Sequence, residues 1–149
     1  MSQELDVIIV DDDPSICKVI SNIIKSFYIW GEVISLTDID EAIVYCMGRD
    51  MIVTVFVLDV YLGEKSGFDF LDQIVERFPS AREDAIIING NASNEVVNRC
   101  ISSDVTYLLE KPIRSYALQL AVRAIVMKYV KFAKRLFRNP TFAAKVKTV

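Results

Sequence analysis

The chain of 149 residues contains no histidine and little cysteine. Without an imidazole, Ser-His-Asp catalysis, Cys-His catalysis and histidine-ligated zinc are excluded. The three cysteines lie far apart and form no CxxC or Cys/His metal spacing, which is typical of plain core or surface residues in a reducing compartment. They are Cys17, Cys46 and Cys100.

The sequence also lacks any run that is long and apolar enough to cross a membrane. Its most apolar late stretch, residues 118–130, is short and interrupted by Arg123 and Lys128. Asp6 and Asp11 flank the first apolar run, and no signal-peptide cleavage pattern follows it. Hydrophobic residues make up 52% of the chain and charged residues 25%, which is typical of one globular domain with a full core. We therefore expect a soluble cytoplasmic protein with no membrane partner.

Acidic residues are absent from the last part of the chain. Residues 1–110 hold all 20 acids and 7 of the 17 bases, whereas residues 111–149 hold the other 10 bases. A basic segment can contact nucleic acid or an acidic partner, or it can simply complement the acidic body or stay solvated. We expect that this segment complements the acidic body or stays solvated. Nucleic acid is not an expected partner within this chain, because the dozen or so residues after the last predicted helix are too few for a helix-turn-helix.

Short apolar, β-branched runs alternate five times with stretches of helical periodicity. We predict strands at residues 5–10, 32–36, 52–58, 85–88 and 105–109. Asp13 is predicted to cap the first helix ahead of Pro14, and Thr37 the second. The pattern predicts an α/β fold of the flavodoxin-like (βα)5 kind, a doubly wound parallel sheet with strand order 2-1-3-4-5.

The last predicted helix extends from about Ser115 to Phe137 and sets the domain division. We expect residues 1–137 to form one domain with an extended final helix, and residues 138–149 to form a basic tail with no output domain. The helix is apolar around much of its circumference, including Leu120 and Met127 outside the stripe that one sheet face requires. This excess favours a homodimer or partner surface, although an extended helix can also cover its own loops.

Carboxylates follow the first and third predicted strands, which are neighbours at the switch point of this topology. Asp11 and Asp12 therefore share a pocket with Asp59. Crowded like charges need a cation, and an all-oxygen ligand set favours Mg²⁺. Lys111 follows the fifth strand and should enter the same rim, where a metal and an ammonium suit phosphoryl transfer onto a carboxylate. Taken singly, an Asp or a Lys after a strand is more often a cap or turn residue. The joint placement of these residues at three strand ends favours the functional interpretation.

Three short motifs stand at these strand ends: Val10-Asp11-Asp12-Asp13-Pro14-Ser15, then Val57-Leu58-Asp59 with Gly67 eight residues later, then Glu110-Lys111-Pro112. In combination they closely resemble the CheY-like receiver domains of two-component response regulators, and the resemblance covers about residues 4–130. It implies a signalling module that accepts a phosphoryl group on Asp59 from a sensor histidine kinase or phosphotransfer protein. It implies no enzymatic activity beyond self-phosphorylation and autodephosphorylation.

The resemblance also implies a role for each site residue. Asp12 and Asp59 would ligate Mg²⁺ directly, Asp11 would act through water, and the backbone carbonyl of Tyr61 would supply a further ligand. Lys111 would hold a phosphoryl oxygen. The peptide before Pro112 would be cis, as is usual in this family.

Three positions depart from the family pattern, and one of them is Gly63, which replaces a frequent proline in the loop after Asp59. Asn89 stands where the family usually has the switch Ser or Thr, and Leu108 stands where it commonly has the switch aromatic, with Tyr107 on the opposite face of the strand. A pseudo-receiver, a protein-interaction module independent of phosphorylation, is therefore the alternative. A haloacid-dehalogenase type phosphatase is disfavoured, because Tyr61 occupies the position of its second acid. The kinase, the stimulus, the output partner and the extent of the full protein stay open.

Overall fold

The computed structural model describes residues 5–50, 53–91 and 93–147. Ile52, where the third strand was expected to begin, lies outside these ranges. The elements in chain order are β1 (Asp6–Val10), α1 (Pro14–Lys25), β2 (Val33–Leu36), α2 (Ile39–Met47), β3 (Thr54–Asp59), β4 (Tyr61–Leu62), β5 (Lys65–Ser66), α3 (Gly67–Ile74), β6 (Ala85–Asn89), α4 (Asn94–Ser102), β7 (Tyr107–Glu110), α5 (Ser115–Arg138) and α6 (Pro140–Lys147).

Five strands form one parallel sheet in the order β2-β1-β3-β6-β7. Without the two-residue strands β4 and β5, which pair only with each other, this is the predicted order 2-1-3-4-5. The flavodoxin-like prediction is therefore confirmed. The register aligns Val10 with Leu58, Asp59 with Ile88, and Asn89 with Glu110. The carboxyl ends of the central strands thus meet at one edge of the sheet.

Alternation along the strands divides the core between the two sheet faces. Strands β1, β3 and β6 are buried along their whole length, as expected of central parallel strands. Ile8 and Phe56 pack on the face covered by α2 and α3, whereas Val7 and Val55 pack on the face covered by α1 and α5. Burial on both faces holds the strand ends, and so the site, in a fixed place.

Local sequence signals explain the helix starts, with one correction. Asp13 caps α1 by accepting a hydrogen bond from the backbone N–H of Ser15, and Pro14 is its first residue. The prediction that Thr37 caps the second helix was wrong. Asp38 does so instead, because its carboxylate accepts the N–H of Glu41 at 2.9 Å, and α2 begins one residue later than expected.

The last helices extend beyond the core. In α5, the buried side chains are Leu118, Ala121, Val122, Ile125 and Val126, all in its first half. Within the stretch expected to be a tail, residues Pro140–Lys147 form α6, which Asn139 caps by accepting the N–H of Phe142 at 3.0 Å. The Phe132 and Phe142 rings meet edge to face, 5.9 Å apart. In the ranges described, no helix has both the length and the apolarity needed to cross a membrane.

Candidate functional site

Three carboxylates converge at the carboxyl edge of the sheet. Asp11 follows β1, and Asp59 is the last residue of the neighbouring strand β3. Asp11, Asp12 and Asp59 each offer one carboxylate oxygen, and these oxygens all lie within 4.8 Å of one another. Asp11 and Asp59 are buried, with 1% and 7% of their surface exposed, whereas Asp12 is exposed. The structure thus brings together the acids that the sequence placed in one pocket.

Asp11 has an unsatisfied oxygen inside this pocket. Its Oδ1 accepts the N–H of Asp13 at 2.9 Å, whereas its buried Oδ2 accepts no hydrogen bond and has the Lys111 ammonium 3.4 Å away. Burial raises the pKa of Asp11, and the charge of Asp59 adds to that rise. One ammonium shared among three carboxylates leaves the cluster with a net negative charge, which a further cation would offset. This oxygen and the all-oxygen donor set therefore fit a hard divalent cation such as Mg²⁺.

Lys111 closes the acidic cluster from the β7 side. Its Nζ donates a hydrogen bond to Asp59 Oδ2 at 3.2 Å and lies 3.4 Å from Asp11 Oδ2. Its backbone N–H donates to the carbonyl of Asn89 at 2.9 Å, and the Lys111–Pro112 peptide is cis, as the resemblance implied. Although burial opposes the charged form, the charges of Asp11 and Asp59 raise the pKa of Lys111. The ammonium is held charged against the carboxylate proposed to react.

Gly67 has a steric role that the motif alone did not explain. A Cβ at this position would lie 2.6 Å from the carbonyl oxygen of Asp59 and 3.1 Å from the Leu58 Cβ. Ser66 and Asp69 then form a reciprocal capping box at the start of α3. The absence of a side chain at Gly67 therefore lets α3 begin directly against the backbone of Asp59.

Asn89 and Leu108, the two departures at the switch positions of the family, lie at the strand positions expected from the sequence. Asn89 ends β6, and its side chain both donates to the backbone carbonyl of Asn91 and accepts the Asn91 N–H. Leu108 on β7 is half-buried against the core on the α2 and α3 face, and Tyr107 packs on the opposite face. The Tyr61 side chain is 62% exposed. The assigned roles of Asn89, Leu108 and Tyr61 stay predictions.

One contact beside the site was not predicted from the sequence. Arg99 on α4 donates to Ser66 Oγ at 3.3 Å and lies 4.5 Å from the centre of the Phe68 ring. The side chain links α4 to the residue that caps α3, next to Asp59. No sequence signal indicates this pairing, because Arg99 and Ser66 are 33 positions apart and an arginine on a helix face is usually solvated.

Comparison with protein-family models assigns the chain to a family. The family model for the response regulator receiver domain matches residues 7–123, which include every site residue named above. The chain therefore belongs to the response-regulator receiver family, whose members act in two-component signalling. A search of curated proteins gives no significant match.

Solved structures with the same fold are numerous. The beryllofluoride-activated NtrC4 receiver domain dimer is 26% identical with a TM-score of 0.71, over 83% of this chain and 98% of that one. The chemotaxis protein CheY4 of Vibrio cholerae is 21% identical with a TM-score of 0.70, over 82% and 98%. A receiver domain protein of Clostridium thermocellum is 17% identical with a TM-score of 0.73, over 86% and 98%.

Proposed function

We propose that this receiver domain accepts a phosphoryl group on Asp59. The observation that carries the proposal is the environment of the Asp59 carboxylate. This carboxylate is buried at a strand end, accepts a hydrogen bond from Lys111 and lies close to two further acids. Phosphoryl transfer needs positioning and charge neutralisation more than a strong base. The site offers both, because the core fixes Asp59 and an ammonium stands beside it.

The same acids are proposed to hold Mg²⁺. Asp12 and Asp59 would bind it directly, Asp11 through water with its unsatisfied Oδ2, and the backbone carbonyl of Tyr61 would add a ligand. Bound there, the ion would neutralise charge on the carboxylates and on a phosphoryl group.

The proposed donor is a phosphohistidine on a sensor histidine kinase or a phosphotransfer protein in the cytoplasm. A carboxylate oxygen of Asp59 attacks the phosphorus, a P–O bond forms, and the P–N bond to the imidazole breaks. The imidazole nitrogen keeps the bonding electrons and takes a proton from water. The ammonium of Lys111 pairs with a phosphoryl oxygen, which replaces part of its present interaction with Asp59.

Intact-mass spectrometry after incubation with acetyl phosphate tests the proposal. We expect one phosphoryl adduct that depends on Mg²⁺ and is lost in Asp59→Asn. Glu76→Gln, a neutralisation in the exposed turn that follows α3, should leave the adduct unchanged. A folded protein that binds Mg²⁺ but forms no adduct would contradict the proposal.

One observation favours a pseudo-receiver as the second candidate. The Asn89 side chain is engaged at both ends by Asn91, so the loop after β6 is closed by its own hydrogen bonds. A loop satisfied in this way has less need of a phosphoryl group to order it. An unphosphorylated protein that binds its partner as tightly as the phosphorylated one would support this candidate.

We propose that the signalling assembly is a homodimer that forms through α5, the extended helix predicted from the sequence. Tyr116 and Leu120 are 85% and 72% exposed on α5, and Ile101 is 70% exposed on α4, which contacts the edge strand β7 as α5 does. Exposed apolar side chains on adjacent elements are typical of an association surface. The NtrC4 receiver domain, a dimer in its solved form, offers a precedent within the fold.

A further inference from the structure

The far end of α5 carries a row of bases that the proposed phosphoryl chemistry does not use. Lys131, Lys134, Arg135 and Arg138 are spaced at i, i+3, i+4 and i+7, so they share one face of the helix. We call this set the cationic stripe. It extends over about 10 Å of helix, at 1.5 Å per residue. All four side chains are exposed.

The cationic stripe faces away from the domain. The buried stripe of α5 has the same spacing at Leu118, Ala121, Val122 and Ile125. At about 100° per residue, the cationic stripe is rotated by about 140° from it. Just before the stripe, Lys128 binds Asp84 at 2.7 Å, and Asp84 immediately precedes the amino end of β6. The stripe therefore lies at the edge of the sheet opposite to the Asp59 site.

None of these charges has an acidic partner in the ranges that the structure describes, although the Arg135 guanidinium faces the Phe142 ring at 4.5 Å. No carboxylate there lies within 4.0 Å of any of the four side chains, whereas Lys65, Lys111 and Lys128 elsewhere are all paired. Like charges at i and i+4 on one helix face destabilise the helix. The sequence alone favoured a helix that complements the acidic body or is simply solvated; the four bases are exposed, and the acids of that body do not reach them.

The surroundings of the stripe fit phosphates better than lipid or protein. A surface groove at this end is lined by the four bases and Asn139, all polar. An interfacial membrane helix needs apolar side chains beside its bases, and a protein interface needs aromatic or aliphatic anchors. Among the nearby aromatics, Phe132 packs on Phe142 in α6, and Phe142 also faces the Arg135 guanidinium. Phe137 is 90% exposed, but one ring does not form the apolar face that either partner would need. Single-stranded nucleic acid would also need aromatic stacking in the groove.

We propose that the cationic stripe binds the phosphate backbone of duplex nucleic acid, without sequence preference. This revises the expectation that nucleic acid is no partner, which rested on the missing helix-turn-helix and not on the placement of the bases. Lys and Arg side chains are the usual ligands of backbone phosphates, and such contacts carry no base readout. The stripe and the Asp59 site lie at opposite edges, so both can be occupied at once.

Fluorescence anisotropy of a labelled DNA duplex with the full chain tests the proposal. We expect a Kd on the order of 10–100 µM at low salt, with log K falling against log salt with a slope of about −3.6 for four contacts. This slope corresponds to a loss of affinity of about 150-fold between 50 and 200 mM salt. An RNA duplex of the same sequence shows whether the shared backbone chemistry suffices or DNA is preferred.

Matched charge reversals assign the binding to the stripe. Lys131→Glu with Lys134→Glu should weaken binding more than tenfold and make the salt slope shallower by about 2. Lys18→Glu with Lys25→Glu, on the exposed face of α1, changes net charge equally and should alter affinity less than twofold. Thermal melts check that both doubles are folded. Duplex binding that is undetectable, equal loss in the two doubles, or binding to anionic phosphatidylserine vesicles but not to duplex would each overturn the proposal.

Discussion

Replacing Asp59 by asparagine in the absence of divalent cations should stabilise the fold. The ionised Asp59 side chain is stabilised by Lys111, whose Nζ is 3.2 Å from Oδ2. It is destabilised by two neighbouring carboxylates within 4.8 Å. At an effective dielectric constant of about 20, the attraction is worth about 5 kcal/mol and each repulsion at least about 3.5 kcal/mol. The repulsions together exceed the attraction by about 2 kcal/mol. Because Asp12 is exposed and more strongly screened, we expect a net gain of about 1 kcal/mol.

Thermal unfolding in chelator measures this effect. A gain of about 1 kcal/mol raises the Tm of a domain this size by about 2–4 °C. Glu76→Gln removes an exposed charge far from the cluster and should leave the Tm unchanged. Saturating Mg²⁺ should reverse the order, because the wild type binds the ion in its folded state more tightly than the variant does. A variant less stable than wild type in chelator would refute the account of a repulsive shared pocket.

Three further substitutions test other parts of the structure. Gly67→Ala should destabilise the protein by about 1–3 kcal/mol in urea unfolding and slow phosphorylation, because the new Cβ would press on the Asp59 carbonyl. Gly48→Ala should do neither, because a Cβ there would lie at an ordinary 3.5 Å from the Val44 carbonyl oxygen. In Asn89→Thr, the loop after β6 loses its amide hydrogen bond, so amide hydrogen exchange there should respond more to phosphorylation than in wild type; an unchanged response would remove Asn89 from the switch. Leu120→Glu should weaken a dimer at least tenfold, about 1.4 kcal/mol, in sedimentation velocity, and an unaffected dimer would exclude this face of α5.

The sequence was sufficient for the architecture because hydrophobic pattern and fold agree at every strand. The β-branched runs before Asp11 and Asp59 are buried on both sheet faces, which is what a central parallel strand requires. Once the strand order is known, the carboxyl ends of neighbouring strands must be adjacent. The positions of Asp11, Asp12, Asp59 and Lys111 at one edge follow from that geometry.

Features set by long-range or very local geometry escaped sequence analysis. The β4–β5 hairpin has two residues in each strand, too few for any periodicity, and it turns at Gly63 with φ +66°. Thr37 and Asp38 are both good caps, and only the backbone decides between them. The contact of Arg99 with Ser66 joins distant segments, and the pairing of Asn89 with Asn91 depends on the fold of one loop.

Mapping the phosphorylated residue in the wild-type chain tests the central claim most directly. Borohydride reduces an aspartyl phosphate to homoserine, so tandem mass spectrometry of peptides from acetyl phosphate-treated protein identifies the acceptor. The account predicts homoserine at position 59 alone, formed only when Mg²⁺ is present. Modification at Asp11 or Asp12, or none in folded protein that binds Mg²⁺, would contradict it.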